Sequence, residues 1–353
     1  MTRETTDYEH VRRMRAENPK MRERDLARML ELSEAEFVSA FCGLGVSRIE
    51  IRFDEIFKGL GGVGEVMALT RNESAVHEKI GVYDRFVPGK RAAMMLGADI
   101  DTRMFPTVWV HGFAVAKTGE DGVERHSLQF FDAHGDAVHK VHTRPGTDMA
   151  AWNALVESLL ADDQEPGLLS EVTPAEISAR PALERDKEDA LRERWQALTD
   201  THQFHGMLRD LDLHRLNALN LAGDDYAWPL AEGAVPQMMQ AAADSGQPIM
   251  CFVGNRGCIQ IHSGPIAKIA PMGPWINVMD PGFHLHLRTD HITEAWAVRK
   301  PTSDGHVTSI EAYDADGTLI IQFFGVRKEG KVERTDWREL VEGLARPETV
   351  AAE

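Results

Sequence analysis

The residues most able to do chemistry are histidines, of which the chain has 15 against only four tyrosines. His202 and His205 stand three apart in THQFHGML, Thr201–Leu208. In a helix that spacing puts both imidazoles on one face. Phe204, Met207 and Leu208 flank them, so two readings are open: an imidazole on an apolar face ready to ligate a haem iron, or two partly exposed helical histidines. His284 and His286 are two apart and would share a face on a strand. They could begin a metal site, but no third ligand is fixed by spacing, and a pair of surface histidines is the plainer expectation. Cys42, Cys251 and Cys258 are too few and too scattered for a disulfide framework or zinc ribbon. They read as buried small hydrophobes, a usage suited to a reducing compartment.

Two further motifs are weaker. The run GLGGVGEV at Gly59–Val66 suggests a dinucleotide loop only superficially, since no strand precedes it and Glu65 stands where a phosphate would approach. A plain turn is expected there, and no P-loop occurs anywhere. The segment Arg24–Ala40, RDLARMLELSEAEFVSA, has the Ala-x-x-Leu-x-x-Ser pattern of a helix-turn-helix, with Ser33 as cap. Yet Glu31 replaces the usual turn glycine, and Glu34 and Glu36 would face phosphates. A net charge of −17, from 39 Lys+Arg and 56 Asp+Glu, argues against nucleic-acid or anionic-membrane coating. A helical hairpin packing on its own sheet is the expectation, with a DNA-binding regulator as the weakest functional alternative.

These residues need a scaffold, and the 353-residue chain repeats itself. Ser127–Val141, SLQFFDAHGDAVHKV, resembles Ser309–Phe323, SIEAYDADGTLIIQF, at an offset of 182. Both read as two strands joined by a tight Asp-Ala-x-Gly turn. RNESAVH at 71–77 pairs with RGCIQIH at 256–262, GFAV at 112–115 with AWAV at 295–298, and Leu30-Glu31-Leu32 with Leu211-Asp212-Leu213. A period this long marks a domain duplication rather than a solenoid. Each half opens with helices, about 21–41 and 183–245, then turns to short alternating runs, about 63–143 and 248–328. This predicts an α+β fold: a tandem duplication, each half with N-terminal helices followed by a large antiparallel β-sheet. The expected boundaries are 1–165 for the first repeat, 166–185 for the linker and 186–345 for the second, with a proline-marked connection (Pro166, Pro174, Pro181) across 162–184 and a frayed tail from Arg346. The N-terminus carries no apolar stretch of a signal peptide and no run is long enough to span a membrane, so a cytoplasmic protein is expected.

Several strings together carry a resemblance. They include LTRNESAVHEKIGVY at 69–83, IDTRMFPTVWVHGFAV at 100–115, THQFHGMLR, FVGNRGCIQIHSGPI at 252–266, MGPWINVMDPGFHLHLR at 272–288, AWAVRKPTSDGHVTSIEAYDADG at 295–317 and QFFGVRKEG at 322–330. The chain resembles, over about residues 20 to 340, the haemin-degrading and haem-transport proteins of bacterial haem uptake, the HmuS/HemS/ChuS/PhuS family. The resemblance implies a duplicated fold with haem in a cleft beside the C-terminal sheet. It implies His202 as proximal iron ligand and Arg103 as a distal residue supplied by the first half. It further implies Arg215, Phe252, Lys300, Gln322 and Arg327 around the haem, with His205 as an alternative ligand where some relatives have an aromatic residue. Arginine and lysine suit anionic propionates, and Arg103 would hold a distal water, hydroxide or peroxide by hydrogen bonds. The catalytic pair under this reading is Arg103 and His202.

The implied function is haem binding followed by oxidative degradation that releases iron. The alternative is a haem carrier that hands its cargo to a separate haem oxygenase. The implied partners are haem, a haem ABC importer or haem oxygenase, and an electron donor of unspecified kind. The assembly is a monomer or homodimer, without membrane insertion.

Overall fold

The computed structural model describes the chain except for residues 1–6, 120, 169–171, 174, 176–179, 328–329 and 348–353. The first half runs α1 (Tyr8–Glu17), α2 (Glu23–Met29), α3 (Glu34–Ser39), β1 (Val46–Ile49), α4 (Phe53–Leu60), β2 (Gly64–Arg71), β3 (Ala75–Gly81), β4 (Phe86–Val87), β5 (Ala93–Leu96), β6 (Asp101–Met104), β7 (His111–Thr118), β8 (Glu124–Phe131), β9 (Ala137–Thr147) and α5 (Met149–Leu159). The second half repeats that order as α6 (Glu188–Gln196), α7 (Gln203–Asp210), α8 (Arg215–Ala222), β10 (Ala227–Leu230), α9 (Ala234–Ser245), β11 (Ile249–Gly254), β12 (Cys258–Gly264), β13 (Ile269–Met272), β14 (Trp275–Asp280), β15 (Phe283–Arg288), β16 (Glu294–Thr302), β17 (Gly305–Tyr313), β18 (Leu319–Gly325) and α10 (Thr335–Glu342). The strands build two nine-stranded antiparallel sheets. The α+β duplication expected from the sequence is therefore what the chain adopts.

Strand register makes the duplication exact in its details. Ile49 faces Gly112 as Leu230 faces Ala295, and Phe130 faces His139 as Ala312 faces Ile321. The two Asp-Ala-x-Gly segments are the same hairpin. Asp132 Oδ1 accepts from the amides of His134 and Asp136 at 2.8 and 3.0 Å, and Asp314 Oδ1 accepts from Asp316 and Thr318 at 3.0 and 2.8 Å. The turn needs a left-handed residue, supplied by Gly135 (φ 74°) and Gly317 (φ 78°). Glu31 and Asp212, which end α2 and α7, share positive φ of 55° and 49°.

One pairing needs correction. The side chains of Asn72 and Asn255 each accept from backbone amides two and three residues on, Ser74 and Ala75 in one case, Gly257 and Cys258 in the other. The offset at this turn is therefore 183, whereas the strings RNESAVH and RGCIQIH align at 185. A slip of two residues keeps every side chain on the same face of a strand, so the hydrophobic pattern matched in the wrong register.

The chain forms two compact units. Unit 1 comprises 1–71, 77–176 and 254–260, and unit 2 comprises 72–76, 177–253 and 261–353. Each unit thus holds the β-turn that follows the corresponding strand of the other half. In unit 1 the strand order is β1-β7-β8-β9-β2, and in unit 2 it is β10-β16-β17-β18-β11. Alternating inward residues fill the cores: Val66, Ala68, Leu128, Phe130 and Val141 with Phe57 and Trp152 in unit 1, and Ile249, Cys251, Val253, Ile310 and Phe323 with Met238 and Trp337 in unit 2. Among the buried polar residues of unit 1 is His139. Its Nδ1 meets Thr70 Oγ1 at 2.8 Å and its Nε2 meets Tyr83 Oη at 2.6 Å.

Other expectations are refined. β10, of four residues, enters within the region read as helical, its counterpart β1 falls between the regions read as helix and sheet, and α5 and α10 close the two halves after their sheets. The Gly59–Val66 run ends α4 and turns into β2, which is helix–turn–strand rather than the strand–turn–helix of a dinucleotide loop. Ser33 caps α3 in a full capping box with Glu36. Ala35 and Val38 of α3 pack on Val46, Phe113, Val115 and Phe131 of the unit 1 sheet, as a helical hairpin should. Glu34 does not face outward: it is buried and paired with Arg71 and Lys140. The three cysteines are free and buried. Pro174 and residues 348–353 lie outside the described residues, while Arg346 is anchored, paired with Asp224 at 2.7 Å and lying over Trp228. No described helix is long and apolar enough to cross a membrane.

Candidate functional site

The site is built on the outward face of the unit 2 sheet. Along β11, Ile249, Cys251 and Val253 point into the core, so Met250 and Phe252 must point out. On the neighbouring β18, Phe323 points in, and Gln322 and Phe324 point out. The register sets Met250 beside Phe324 and Phe252 beside Gln322. The Phe252 and Phe324 rings meet edge to face with centroids 4.9 Å apart. The result is a half-buried apolar shelf suited to a flat ligand.

Helices cover the adjoining strands. Trp195 of α6, Phe204, Met207 and Leu208 of α7 and Leu216 and Leu219 of α8 share a core with Trp296, Val298 and Tyr313 of β16 and β17. Under this cover lies Glu311, fully buried and opposite Gln322 in the sheet register. Its carboxylate accepts from Arg215 Nε (2.8 Å) and Nη2 (2.6 Å), Lys300 Nζ (2.8 Å), Tyr313 Oη (2.5 Å), Ser309 Oγ (3.0 Å) and Gln322 Nε2 (2.9 Å). Burial alone would raise the Glu311 carboxyl, but the charges of Arg215 and Lys300 overrule it and hold it well below the usual range. Burial pushes the Lys300 ammonium down to about 8, with Glu311 opposing and Arg215 adding to the fall. Both cations also lie over the ring of Phe204, Arg215 Cζ at 5.1 Å and Lys300 Nζ at 4.7 Å from its centroid.

His202 is the cap residue of α7 rather than an interior helical residue. It and His205 lie on the exposed side, while Phe204, Met207 and Leu208 face the core, so the histidines do not sit on the apolar stripe itself. The His202 side chain is 90% exposed. Its Nδ1 lies 2.7 Å from Asp200 Oδ1, which also accepts the His202 backbone amide at 2.8 Å. These hydrogen bonds, with a smaller contribution from the charge of Arg327, lower the Asp200 carboxyl. A histidine held at Nδ1 by a carboxylate presents Nε2 as its ligating nitrogen.

Of the residues expected from the resemblance, Arg215, Lys300 and Gln322 meet through Glu311, Phe252 stands beside Gln322, and Arg327 lies within electrostatic reach of Asp200. Arg103 belongs to unit 1, on β6, where its guanidinium pairs with Asp101. His284 and His286 share a half-buried face of β15, and His286 Nδ1 meets Asn277 Oδ1 at 2.7 Å. Among the described residues no group of three His, Cys, Asp or Glu side chains is arranged to hold a metal ion. Sequence reasoning missed Glu311, Tyr313, Asp200, Met250 and Phe324. A signal for Glu311 was present: it stands where the first half has the neutral Gln129, a charge gained within the duplicated hairpin.

The haemin-degrading HemS.ChuX domain family matches this chain twice, at residues 31–159 and 212–344. The chain belongs to the haemin-degrading HemS.ChuX family. Within this HemS-type group, the hemin transport protein HmuS of Yersinia pestis is 39% identical over 98% of this chain and 99% of its own length. The structure of holo-PhuS, a heme-binding protein from Pseudomonas aeruginosa, matches with TM-score 0.92 and 43% identity, covering 96% of this chain and 98% of that one. ChuS, described as an Escherichia coli heme oxygenase, matches with TM-score 0.85 and 38% identity, covering 95% of this chain and 99% of its own. The two matched HemS segments each take in α3 or α8 and the sheet that follows, one segment per half of the duplication.

Proposed function

We propose that this protein binds haem in unit 2 through His202 and acts in bacterial haem uptake, degrading the macrocycle oxidatively to release iron. The observation that carries this reading is His202 itself: an exposed imidazole with Nδ1 held by Asp200, so that Nε2 is the nitrogen presented for ligation. The surrounding residues fit the group. Met250, Phe252 and Phe324 offer flat apolar surface, and Arg215 and Arg327 place positive charge in an otherwise acidic chain, suited to anionic propionates. Lys300 and Gln322 contribute from below, through Glu311. Bound haem supplies the redox-active iron at which oxygen chemistry occurs, while the chain binds and orients it. Arg103 is assigned the distal, hydrogen-bonding role by its motif.

His202→Ala should weaken haem binding and change the Soret spectrum, measured by titration. An unchanged spectrum and affinity would remove His202 as ligand, and a change that becomes complete only in the His202→Ala, His205→Ala pair would assign a share to His205. Degradation is read by supplying the haem complex with reductant and oxygen in the presence of catalase. Carbon monoxide with an open-chain tetrapyrrole supports controlled cleavage. Arg103→Ala should leave haem bound and slow that turnover.

A second reading, a carrier that passes haem to a separate oxygenase, is favoured by the exposure of the ligand pair. His205 lies one helical turn from His202 and is also exposed, a geometry suited to stepwise hand-over. Loss of all cleavage products when catalase is present would place this reading first.

A further inference from the structure

The ligand helix needs an anchor, and the bonds His202 makes do not provide one. Asp200 is an exposed neighbour in the same loop, so its hydrogen bonds orient the ring locally without tying it to the sheet. The side chain that ties this end of α7 to the core is Phe204, two residues on and buried. Its ring packs edge-on against Trp195 at 4.7 Å and carries two cations, Arg215 and Lys300, at 5.1 and 4.7 Å. Those cations repel each other, and the fully buried carboxylate of Glu311 is the counter-charge that binds both, with Tyr313 Oη accepting a further hydrogen bond from Arg215 and Ser309 Oγ one from Lys300.

We propose that Glu311 is a positioning residue for the iron ligand: by pinning Arg215 and Lys300 against the ring of Phe204 it fixes the start of α7, and with it His202. This rests on the reading of His202 as ligand. The first half lacks the device. Its counterpart of Glu311 is Gln129, whose Oε1 is buried with no hydrogen-bond partner, and its counterpart of Lys300, Lys117, instead pairs with Glu23.

The test compares Glu311→Gln, which keeps the shape and removes the charge, with Glu311→Asp and Phe204→Leu. In the haem-free protein, amide hydrogen exchange across α7 should quicken by about tenfold in Glu311→Gln and Phe204→Leu, with α9 unchanged and Glu311→Asp in between. In the haem-loaded ferrous protein, the iron–histidine stretching band in resonance Raman spectra should shift or broaden in the same two variants and recover in Glu311→Asp. Parental α7 exchange in the folded variants would overturn the proposal, as would a loosened α7 with an unmoved iron–histidine band. Should Glu311→Gln fail to fold by circular dichroism, Phe204→Leu alone decides by the same two readouts. His202→Ala in the parent background tests the underlying reading separately: persistence of the band there would show that His202 is not the ligand, whatever α7 does.

Discussion

Glu34 in unit 1 and Arg215 in unit 2 occupy the same place, the first residue of the third helix of each half, and carry opposite charges. Each nucleates a buried cluster of one carboxylate and two cations. In unit 1 the carboxylate is on the helix, as Glu34, and the cations, Arg71 and Lys140, rise from the sheet. In unit 2 the carboxylate is on the sheet, as Glu311, and one cation has moved to the helix. An acidic residue at a helix N-terminus is favoured by the backbone dipole and a cation there is disfavoured. Unit 1 therefore has the arrangement that stability alone would select. Unit 2 sets a cation against the helix dipole and needs a fully buried carboxylate to hold it. The same contrast extends to the proposed ligand position, where His202 corresponds to Met21 at the offset of 181 that relates Glu31 to Asp212. The duplication has kept the backbone and redistributed the charge.

The contrast can be pressed experimentally. The largest effect is expected in the unit 1 core, where His139 stands at the place filled by Ile321 in unit 2. Burial pushes the His139 imidazole down to about 3 from its usual 6.5. The unfolded chain therefore takes up the proton first, so stability is complete above pH 6.5 and falls as pH drops toward 3, by on the order of 5 kcal/mol. Converting unit 1 toward its twin with His139→Ile and Tyr83→Phe should flatten that part of the profile in urea melts between pH 7 and 4. An unchanged slope would show that His139 does not carry the acid sensitivity.

Next in size is Glu34→Gln, which leaves Arg71 and Lys140 without their counter-charge and should cost about 3 kcal/mol near neutral pH. Burial would raise the Glu34 carboxyl, but Lys140 and Arg71 hold it down to about 2 against a usual 4.5. The parent's contribution is thus present above 4.5 and lost as pH falls toward 2, and the variant should lack that acid transition. A neutral substitution would mean that the two clusters are not energetic counterparts. The smallest effect belongs to Gln129→Met, expected within about 1 kcal/mol because, among the described residues, the amide's hydrogen bond is the one to Ser127 at 3.1 Å. A loss as large as that of Glu34→Gln would break the comparison.

The duplication was legible because the Asp-Ala-x-Gly hairpins combine period-two alternation with a turn that only a left-handed glycine completes, a signal that survives divergence. β1 and β10 were not, since four residues such as Val46-Ser47-Arg48-Ile49 are too short to show alternation. The register of the β2–β3 and β11–β12 turns was misread by two because period-two patterning is blind to such a slip. His202, Arg215 and Lys300 came from strings shared with a family, whereas the bonds joining the last two depend on Glu311, 11 residues from Lys300 in sequence and 96 from Arg215. Hydrogen-bond partners drawn from helix and sheet leave no spacing to read.

The exchanged turns bear on how the protein is made. Residues 1–176 can emerge from the ribosome and begin to fold, yet unit 1 still lacks its last piece, 254–260, which is synthesised 84 residues later. At usual rates of synthesis that interval lasts from about 4 to 17 s. Until it ends, Thr70 lacks Gln260 and Cys258, the carbonyls of Ala68 and Val138 lack the amides of Gln260 and Asn255, and the indole of Trp109 lacks the carbonyl of Gly257. A nascent first half would hold those groups unpaired until 254–260 arrives, so slowing the ribosome between residues 177 and 254 should lower the yield.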